Sequence, residues 1–225
     1  MRTRASHPRL AVLFGLILAV ALSVGVLGGT LRVMGTSVPL LERWLDWDAV
    51  PPAYGLTQAD RAPIARLISD TMAGRTDTFQ YKGLFSGQAD VHMRDCTPLF
   101  TLALIAGLSG FGLCLAAAGL CALCRSPRGT GIGMLLGAGL TVGAVLTLAV
   151  WGLIDFPGLF TAFHRAAFTN DLWLFPPGDL LITLMPLGFF VRCAAAAGIL
   201  WLASLAAVSG AAVLLIRKDR KKTLP

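Results

Sequence analysis

The sequence predicts an all-α integral membrane protein, with four transmembrane helices and a helical extracytoplasmic loop domain. Hydrophobic residues form 56% of the 225 residues and charged residues only 14%, and the mean hydropathy is +0.72. The apolar residues are gathered into four runs, each near or above the ~20 residues that a helix needs to cross a bilayer. These two observations exclude a soluble globule and a disordered chain, because neither tolerates so much apolar surface in water.

The predicted segments follow one another in chain order. They are a basic cytoplasmic tail with the first transmembrane helix (1–29), an extracytoplasmic loop domain (30–97), the second transmembrane helix (98–124), a cytoplasmic loop (125–129), the third transmembrane helix (130–154), an extracytoplasmic interfacial loop (155–185), the fourth transmembrane helix (186–216) and a basic cytoplasmic tail (217–225). The first apolar run follows Arg2, Arg4 and Arg9, as in a secretory leader. It is long, however, and no A-x-A-like cleavage site follows it, so we expect an uncleaved anchor. In the third helix, Gly133 and Gly137 have the four-residue spacing that lets helices pack closely.

The distribution of charge predicts the orientation of these helices. The net charge is +3 in the N-terminal tail, +2 in the 125–129 loop and +4 in the last tail. Segment 30–97 has seven basic and eight acidic residues, and segment 155–185 has one basic and three acidic residues. Because basic flanks stay in the cytoplasm, both termini are predicted to be cytoplasmic and the two long loops to face outward. The overall charge of +7 is therefore an orientation signal, and no nucleic-acid partner is expected.

The first outer loop contains signals for two helices. Segment 37–48 combines leucines with two tryptophans, which predicts a short helix in the headgroup layer. A second helix is predicted to begin after Thr57, with Asp60 completing a capping box, and to end at Gly74. His92 follows at the outer mouth of the second transmembrane helix.

The second outer loop carries another histidine on an amphipathic helix. A helix over residues 158–168 places Phe160, His164 and Phe168 on one face. His92 and His164 then lie on the same side of the membrane and are predicted to form a joint site; the alternative is that each is simply a hydrogen-bonding interfacial residue. Polar groups that could act as acids, bases or oxyanion stabilisers lie nearby: Arg94, Asp95, Arg165 and Asn170.

These residues also carry a family resemblance. The longer of two motifs reads Phe163-His164-(x)3-Phe168-x-Asn170-Asp171-x-Trp173-Leu174-Phe175, and it is followed by Asp179 to Ile182, Pro186 and Phe189-Phe190. The shorter is His92-Met93-Arg94-Asp95. Together with the four-helix layout they resemble the bacterial lipoprotein intramolecular transacylase family. Three residues depart from its pattern in ways that affect the shape of the substrate pocket: Cys96, Ala166 and Ala167.

The resemblance implies an enzyme of the bacterial plasma membrane, with its active site on the extracytoplasmic face. Such an enzyme moves the sn-2 acyl chain of a diacylglyceryl-modified lipoprotein to the α-amino group of that lipoprotein's own N-terminal cysteine, which leaves a lyso-form lipoprotein. The two catalytic histidines of the family correspond to His92 and His164. Lipoproteins and membrane lipid are the implied partners, with no obligate protein partner.

The chemistry agrees with this assignment. Ester aminolysis needs a base for the amine proton, a group that stabilises the oxyanion and an acid for the leaving oxygen. Two imidazoles can share the proton transfers, and neither a cofactor nor a metal is required; which histidine is the base stays open. Asp90 or Asp95 is expected to fix the tautomer of His92, and Arg94, Arg165 or Asn170 to face the oxyanion, with a solvated or capping role as the alternative for each. Aromatic side chains are expected to line an acyl-chain groove or to anchor the loop at the interface: Phe160, Phe163, Phe168 and Trp173.

Some residues also suggest functions other than acyl transfer. Cys121 and Cys124 have the spacing of a thiol oxidoreductase, but they lie at the predicted cytoplasmic end of the second helix and are expected to be packing thiols. A non-enzymatic accessory protein that docks through the large loop is the other alternative. A zinc site at His92, His164, Asp95 and Cys96 lacks supporting ligand spacing. An acyl-thioester on Cys96 is conceivable but not needed, and Arg192 is expected either to pair with a loop carboxylate or headgroup or to extend to the surface.

Overall fold

The computed structural model describes residues 6–223, and the side chains of residues 6–220. The basic residues Arg2, Arg4, Lys221 and Lys222, which contribute to the predicted orientation, lie outside the described side chains. No β-strand occurs within residues 6–223. The α-helices are α1 (Pro8–Thr36), α2 (Val38–Trp44), α3 (Gln58–Met72), α4 (Gly87–Cys124), α5 (Pro127–Ile154), α6 (Phe156–Ala167), α7 (Leu180–Leu184) and α8 (Leu187–Thr223), and two 3-10 turns lie at Trp47–Ala49 and Pro52–Tyr54.

Four of the described helices, α1, α4, α5 and α8, are long and apolar enough to cross a membrane, which confirms the predicted fold class. Helix α4 differs from its predicted extent because it begins at Gly87 and not at Pro98. Its first turn is capped by Ser86, whose Oγ accepts a hydrogen bond from the Ala89 amide at 3.1 Å. The helix then continues through Pro98, so His92 lies on α4 itself, with helical residues both before and after it.

The turn between α4 and α5 is also shorter than the predicted 125–129 loop. Helix α5 begins at Pro127, and the Ser126 hydroxyl caps it by accepting from the Gly129 amide at 3.3 Å. Proline suits the first helical turn because its missing N–H has no partner there in any case. The reversal is completed by Arg125, which has a left-handed φ of 50°.

The chain divides into two compact units. The first, which we call the bundle unit, comprises the described parts of residues 1–28, 106–156 and 198–225. Here α1 and α5 pack with little space between their backbones. A Cβ atom added to Gly133 would lie 2.0 Å from the Val12 carbonyl oxygen, and one added to Gly137 would lie 2.6 Å from that of Leu16. The predicted role of these glycines in close helix packing is therefore confirmed.

The second unit, the loop unit, comprises residues 29–105 and 157–197. Helix α3 lies at its core, where Ile64, Ile68 and Met72 pack with Phe79 from the following loop and Leu184 from α7. These five side chains are at most 3% exposed. This core holds the N-terminal end of α4, which carries His92, beside α7.

The start of α3 has the predicted capping box and an additional tie. The Thr57 amide donates to Asp60 Oδ2 at 2.8 Å. The Asp60 carboxylate also accepts from the Tyr81 hydroxyl at 2.7 Å and from Lys82 Nζ at 2.6 Å. The hydrogen bonds from Lys82, Tyr81 and Thr57 hold the pKa of Asp60 well below its ordinary value. This carboxylate therefore fastens the loop after α3 to the beginning of the same helix.

The tryptophan-rich segment forms the short helix α2 and the 3-10 turn that follows it. The Trp47 indole N–H donates to the Glu42 carbonyl at 2.7 Å. The guanidinium of Arg192, on α8, donates to the Trp44 carbonyl at 2.7 Å. The expected carboxylate partner of Arg192 is thus replaced by a backbone carbonyl at the C-terminal end of α2, where a positive charge is favourable.

Candidate active site

The loop unit brings His92 of α4 and His164 of α6 together. Their ring centroids lie 6.3 Å apart and their ring planes differ by 26°. Each histidine is only 8% exposed. The helical spacing predicted for residues 158–168 places His164 on the buried side of α6. The turns of α4 that precede Pro98 carry His92 and form the surface that His164 faces.

The hydrogen bond of His164 defines its tautomer. His164 Nδ1 lies 2.8 Å from the Phe160 carbonyl oxygen, one helical turn earlier. A carbonyl oxygen can only accept, so Nδ1 carries the proton and the neutral ring has its lone pair on Nε2. Burial lowers the pKa of His164, and the bond to Phe160 opposes part of that effect. At neutral pH His164 is therefore an uncharged imidazole with Nε2 available as a base.

The polar contacts of His92 are fewer. Its Nε2 lies 3.7 Å from Cys96 Sγ, one turn later on α4. Its Nδ1 is buried and has no hydrogen-bond partner among the described residues. A thiol is a weak hydrogen-bonding group, and an unsatisfied buried nitrogen costs free energy. A polar group that forms a hydrogen bond with Nδ1 would therefore stabilise the ring.

Aromatic rings surround both histidines. The Phe168 ring centroid lies 5.1 Å from that of His92 and 5.6 Å from that of His164, so it contacts both. The centroid of Phe160 lies 3.9 Å and that of Trp173 4.8 Å from His164. Phe163 contacts the His164 ring at 5.2 Å but is 54% exposed. The four predicted aromatic residues therefore gather at His164. Three of them form aromatic walls around its ring, and Phe163 lies at the exposed edge.

The predicted polar neighbours have different positions. Asn170 donates to Asp95 Oδ2 at 2.9 Å and accepts from the Leu172 amide at 3.0 Å, so it organises the loop after α6. Arg94 is exposed and pairs with Asp90 of the same helix at 3.1 Å. Arg165 is exposed on α6.

The expectation that Asp90 or Asp95 fixes the tautomer of His92 is wrong. Asp90 Oδ1 accepts from the Phe79 amide and its Oδ2 from Arg94, and Asp95 accepts from Asn170. Asp90 lies two residues before His92, and side chains at that spacing do not face each other on a helix. Asp95 lies at a spacing that allows contact, but its Oδ2 accepts from Asn170, and His92 Nδ1 has no hydrogen-bond partner among the described residues.

Two further residues, Gln88 and Phe175, belong to the site and are not among those predicted from the sequence. Gln88 Nε2 donates to the Leu172 carbonyl at 3.0 Å and to the Leu174 carbonyl at 2.9 Å. The Phe175 ring centroid lies 5.5 Å from that of His92. Phe175 ends the longer motif, so its part in the motif was the available signal. Gln88 precedes His92 by four residues, a signal that is useful only once α4 is known to start before Pro98.

Within the described residues, no group of three or more His, Cys, Asp and Glu side chains is arranged to hold a metal ion. Cys121 and Cys124 are both buried free thiols. Cys96 is a half-buried free thiol beside His92.

Comparison with known proteins gives consistent matches. The family model for the lipoprotein intramolecular transacylase Lit matches residues 16–190. No match is found among curated proteins. A structure of the membrane-integral lipoprotein intramolecular transacylase Lit from Bacillus cereus has a TM-score of 0.69 and 20% identity, with coverage of 92% of this chain and 96% of that chain. Its histidine-to-arginine variant has a TM-score of 0.69 and 19% identity, with coverage of 96% and 95% respectively.

A histidine-to-alanine variant of the Bacillus cereus protein has a TM-score of 0.67 and 20% identity, and the match covers 95% of this chain and 96% of that one. These structural matches show a common membrane fold. The family model covers most of the sequence, including both His92 and His164. The chain therefore belongs to the lipoprotein intramolecular transacylase family.

Proposed function

We propose that this membrane acyltransferase moves the sn-2 O-acyl chain of a diacylglyceryl-modified lipoprotein to the α-amino group of the same lipoprotein's N-terminal cysteine. The observation that assigns this reaction to a site in the protein is the facing pair of buried imidazoles, whose ring centroids lie 6.3 Å apart. Family membership supports the reaction class. The product is a lyso-form lipoprotein, with one acyl chain left on the glyceryl group and one on nitrogen.

His164 is the general base in this proposal. Its Nδ1 is held by the Phe160 carbonyl, so Nε2 is the atom that takes the proton when the amine attacks the ester carbonyl. The same proton then passes to the glyceryl oxygen as the carbon–oxygen bond breaks. The proton returns to the substrate, so the enzyme ends in its starting state and no cofactor or metal is required.

His92 stabilises the developing charge. A neutral His92 ring protonated on Nδ1 would direct this N–H group toward the carbonyl oxygen of the ester. The group has no other partner among the described residues. Negative charge grows on that oxygen in the tetrahedral intermediate, so this hydrogen bond becomes stronger along the reaction path. The apolar setting strengthens it further, because Phe168 and Phe175 both pack against the ring and exclude solvent.

Alignment supplies much of the rate. The amine and the ester belong to one substrate molecule, and well-oriented intramolecular reactions reach effective molarities of about 10⁵–10⁸ M. The aromatic walls around His164 are suited to the apolar acyl chain. The substrate's other acyl chain stays in membrane lipid, which fits a site whose His92 lies near the N-terminal end of the membrane helix α4.

We also propose that the protein resides in the bacterial plasma membrane with both termini in the cytoplasm and the histidines on the extracytoplasmic side. The support is the distribution of basic residues, since positive flanks are retained in the cytoplasm. The partners are diacylglyceryl lipoproteins within membrane lipid, and the proposal needs no second protein.

Mass spectrometry of the N-terminal lipopeptide of a reporter lipoprotein tests this function. The reporter is isolated from cells that make diacylglyceryl lipoproteins with a free amine, with and without this protein. We expect an N-acylated, lyso-glyceryl peptide only when the protein is present. The free-amine diacylglyceryl form in both samples would refute the proposal.

A further inference from the structure

Gln88 holds the loop that carries Trp173, the indole ring beside His164. Its side-chain amide donates to the carbonyls of Leu172 and Leu174 at 3.0 and 2.9 Å. These two carbonyls flank Trp173, so both hydrogens of one NH₂ group hold the backbone on either side of that residue. Gln88 lies one helical turn before His92, and the bonds tie the His92 helix to the loop that follows α6.

A second tie lies on the other side of His92. Asp95, three residues after His92, accepts from Asn170 at 2.9 Å. The loop from Asn170 to Leu174 is thus held by α4 at two points that bracket the histidine. Its position relative to both imidazoles is set by side-chain hydrogen bonds to α4, and Gln88 makes two of them.

The element held in this way is an indole ring. Trp173 is only 8% exposed, and its ring centroid lies 4.8 Å from that of His164 and 6.2 Å from that of Phe160. An indole packed this close to the imidazole covers one side of His164, which is itself only 8% exposed. Of the two bonds from Gln88, the one to Leu174 lies at the exposed edge of the loop. Solvent can therefore replace that donor if the side chain is changed, while the indole loses its anchor.

We propose that Gln88 is a positioning residue that keeps Trp173 over His164 and so directs the acyl chain to the amine and away from water. The inference rests on the proposed function. The base that activates an amine can equally activate water. In that competing reaction the water oxygen bonds to the acyl carbonyl carbon, the bond from that carbon to the glyceryl oxygen breaks, and the glyceryl oxygen takes the proton. The products are a free fatty acid and a lyso-glyceryl lipoprotein with a free amine.

The partition between the two products is the direct readout. Purified full-length protein in lipid vesicles is given a diacylglyceryl lipopeptide with a free amine, and N-acyl peptide and free fatty acid are both quantified. The Gln88→Met variant keeps the side-chain length and removes both donors. We expect a rise of about tenfold in the ratio of fatty acid to N-acyl peptide, the scale set by the loss of two hydrogen bonds.

Gln80→Met is the matched control. Gln80 also donates from its side-chain amide to a backbone carbonyl, that of Phe85, at 3.1 Å, and it lies in a loop that carries neither histidine. This variant should give the wild-type ratio. If it raises the ratio as much as Gln88→Met does, the effect is a general loosening of the loop unit and the inference is overturned.

Coupling to Trp173 separates positioning from a merely structural role. In a Trp173→Ala background the Gln88→Met change should produce no further rise in the ratio, because the wall that it holds is already gone. An equal rise in both backgrounds would overturn the inference. Thermal unfolding is measured beside each assay, and if Gln88→Met does not fold, Gln88→Glu takes its place, since it has the same size but directs a carboxylate at the two carbonyls.

A wild-type ratio in the folded Gln88 variant would overturn the inference while leaving the proposed function intact. Failure of the proposed function looks different, because the wild-type protein itself would then form no N-acyl peptide.

Discussion

The imidazoles of His92 and His164 face each other across 6.3 Å between ring centroids, and Phe168 contacts both of them. Neither histidine hydrogen-bonds to a carboxylate in the described residues. His164 is oriented by a backbone carbonyl, and the nearest polar contact of His92 is a thiol. The pair thus lies in apolar surroundings, with His164 uncharged at neutral pH, which suits a reaction whose substrate is mostly lipid.

Loss of the proposed base should slow transfer strongly in a protein that still folds. We expect His164→Gln to reduce the rate by about 10²–10⁴-fold, the usual contribution of a general base. The rate is measured as N-acyl peptide formed by the purified variant, with thermal unfolding as the check on structure. Arg165→Gln, a change at the exposed neighbouring position, is the control and should keep most of the wild-type rate. A His164→Gln variant within a few-fold of wild type would remove this residue from the mechanism.

The pH dependence should show the lowered pKa of His164. Burial lowers that pKa, so the ring stays neutral, and competent as a base, to a pH below the ordinary histidine value of about 6.5. The substrate amine titrates at about 7.7–8, and the rate should therefore fall in two steps as the pH drops. In Trp173→Ala, the more exposed His164 should move the lower step toward higher pH. A lower step already above pH 6.5 in the wild type would contradict this account.

Phe168 should be important for both stability and transfer. It is 9% exposed, and truncation of a buried phenylalanine to alanine costs about 3–5 kcal/mol. We expect Phe168→Ala to lower the unfolding temperature and the transfer rate, because both imidazoles lose a packing partner. Phe163→Ala is the matched control: this ring is 54% exposed, and its loss should cost about 0.5 kcal/mol or less. Equal destabilisation by the two variants would show that the packing described here is wrong.

Asp60 should make the stability of the loop unit depend on acid pH. Its pKa is depressed in the folded state by Lys82, Tyr81 and Thr57, and its unfolded pKa is about 3.9. The stabilisation is therefore present above about pH 4 and is lost as the pH falls toward the folded-state value. Asp60→Asn should unfold at a lower temperature than wild type at neutral pH, and the difference should shrink below pH 4. A difference that stays constant with pH would count against the ion pair.

Cys96 should not carry a covalent intermediate. Its thiol lies 3.7 Å from His92 Nε2, close enough that an acyl-thioester has to be tested. Direct transfer within one substrate molecule needs no such step, so Cys96→Ala should keep most of the wild-type rate. Abolished transfer in Cys96→Ala, together with intact transfer in His92→Ala, would favour the thioester route.

The convergence of the two histidines could be predicted from the sequence because it depends on simple periodicities. Residues Phe160, His164 and Phe168 have helical spacing, and the charge distribution assigns both histidine segments to one side of the membrane. The capping box at Thr57 and Asp60 was predictable for the same reason, since a cap is a local pattern.

What could not be predicted depends on long-range contacts. The apolar run begins at Pro98 and predicts the start of α4 there, whereas in the structure the helix begins at Gly87 and its first turns pack on the core of the loop unit. Gln88 was missed as a consequence. The pairing of Asp95 with Asn170 joins residues that are far apart in the sequence, and several carbonyl oxygens could accept from His164, so no local pattern identifies either contact.

The most direct test of the central claim uses a diacylglyceryl lipopeptide whose sn-2 acyl chain alone carries an isotopic label. It is incubated with the purified wild-type protein and with the His92→Gln and His164→Gln variants, and the N-terminal peptide is analysed by mass spectrometry. We predict labelled acyl chain on the α-amino nitrogen with the wild type and essentially none with either variant. Labelled N-acyl peptide formed at the wild-type rate by either variant, or unlabelled chain on the nitrogen, would contradict the account.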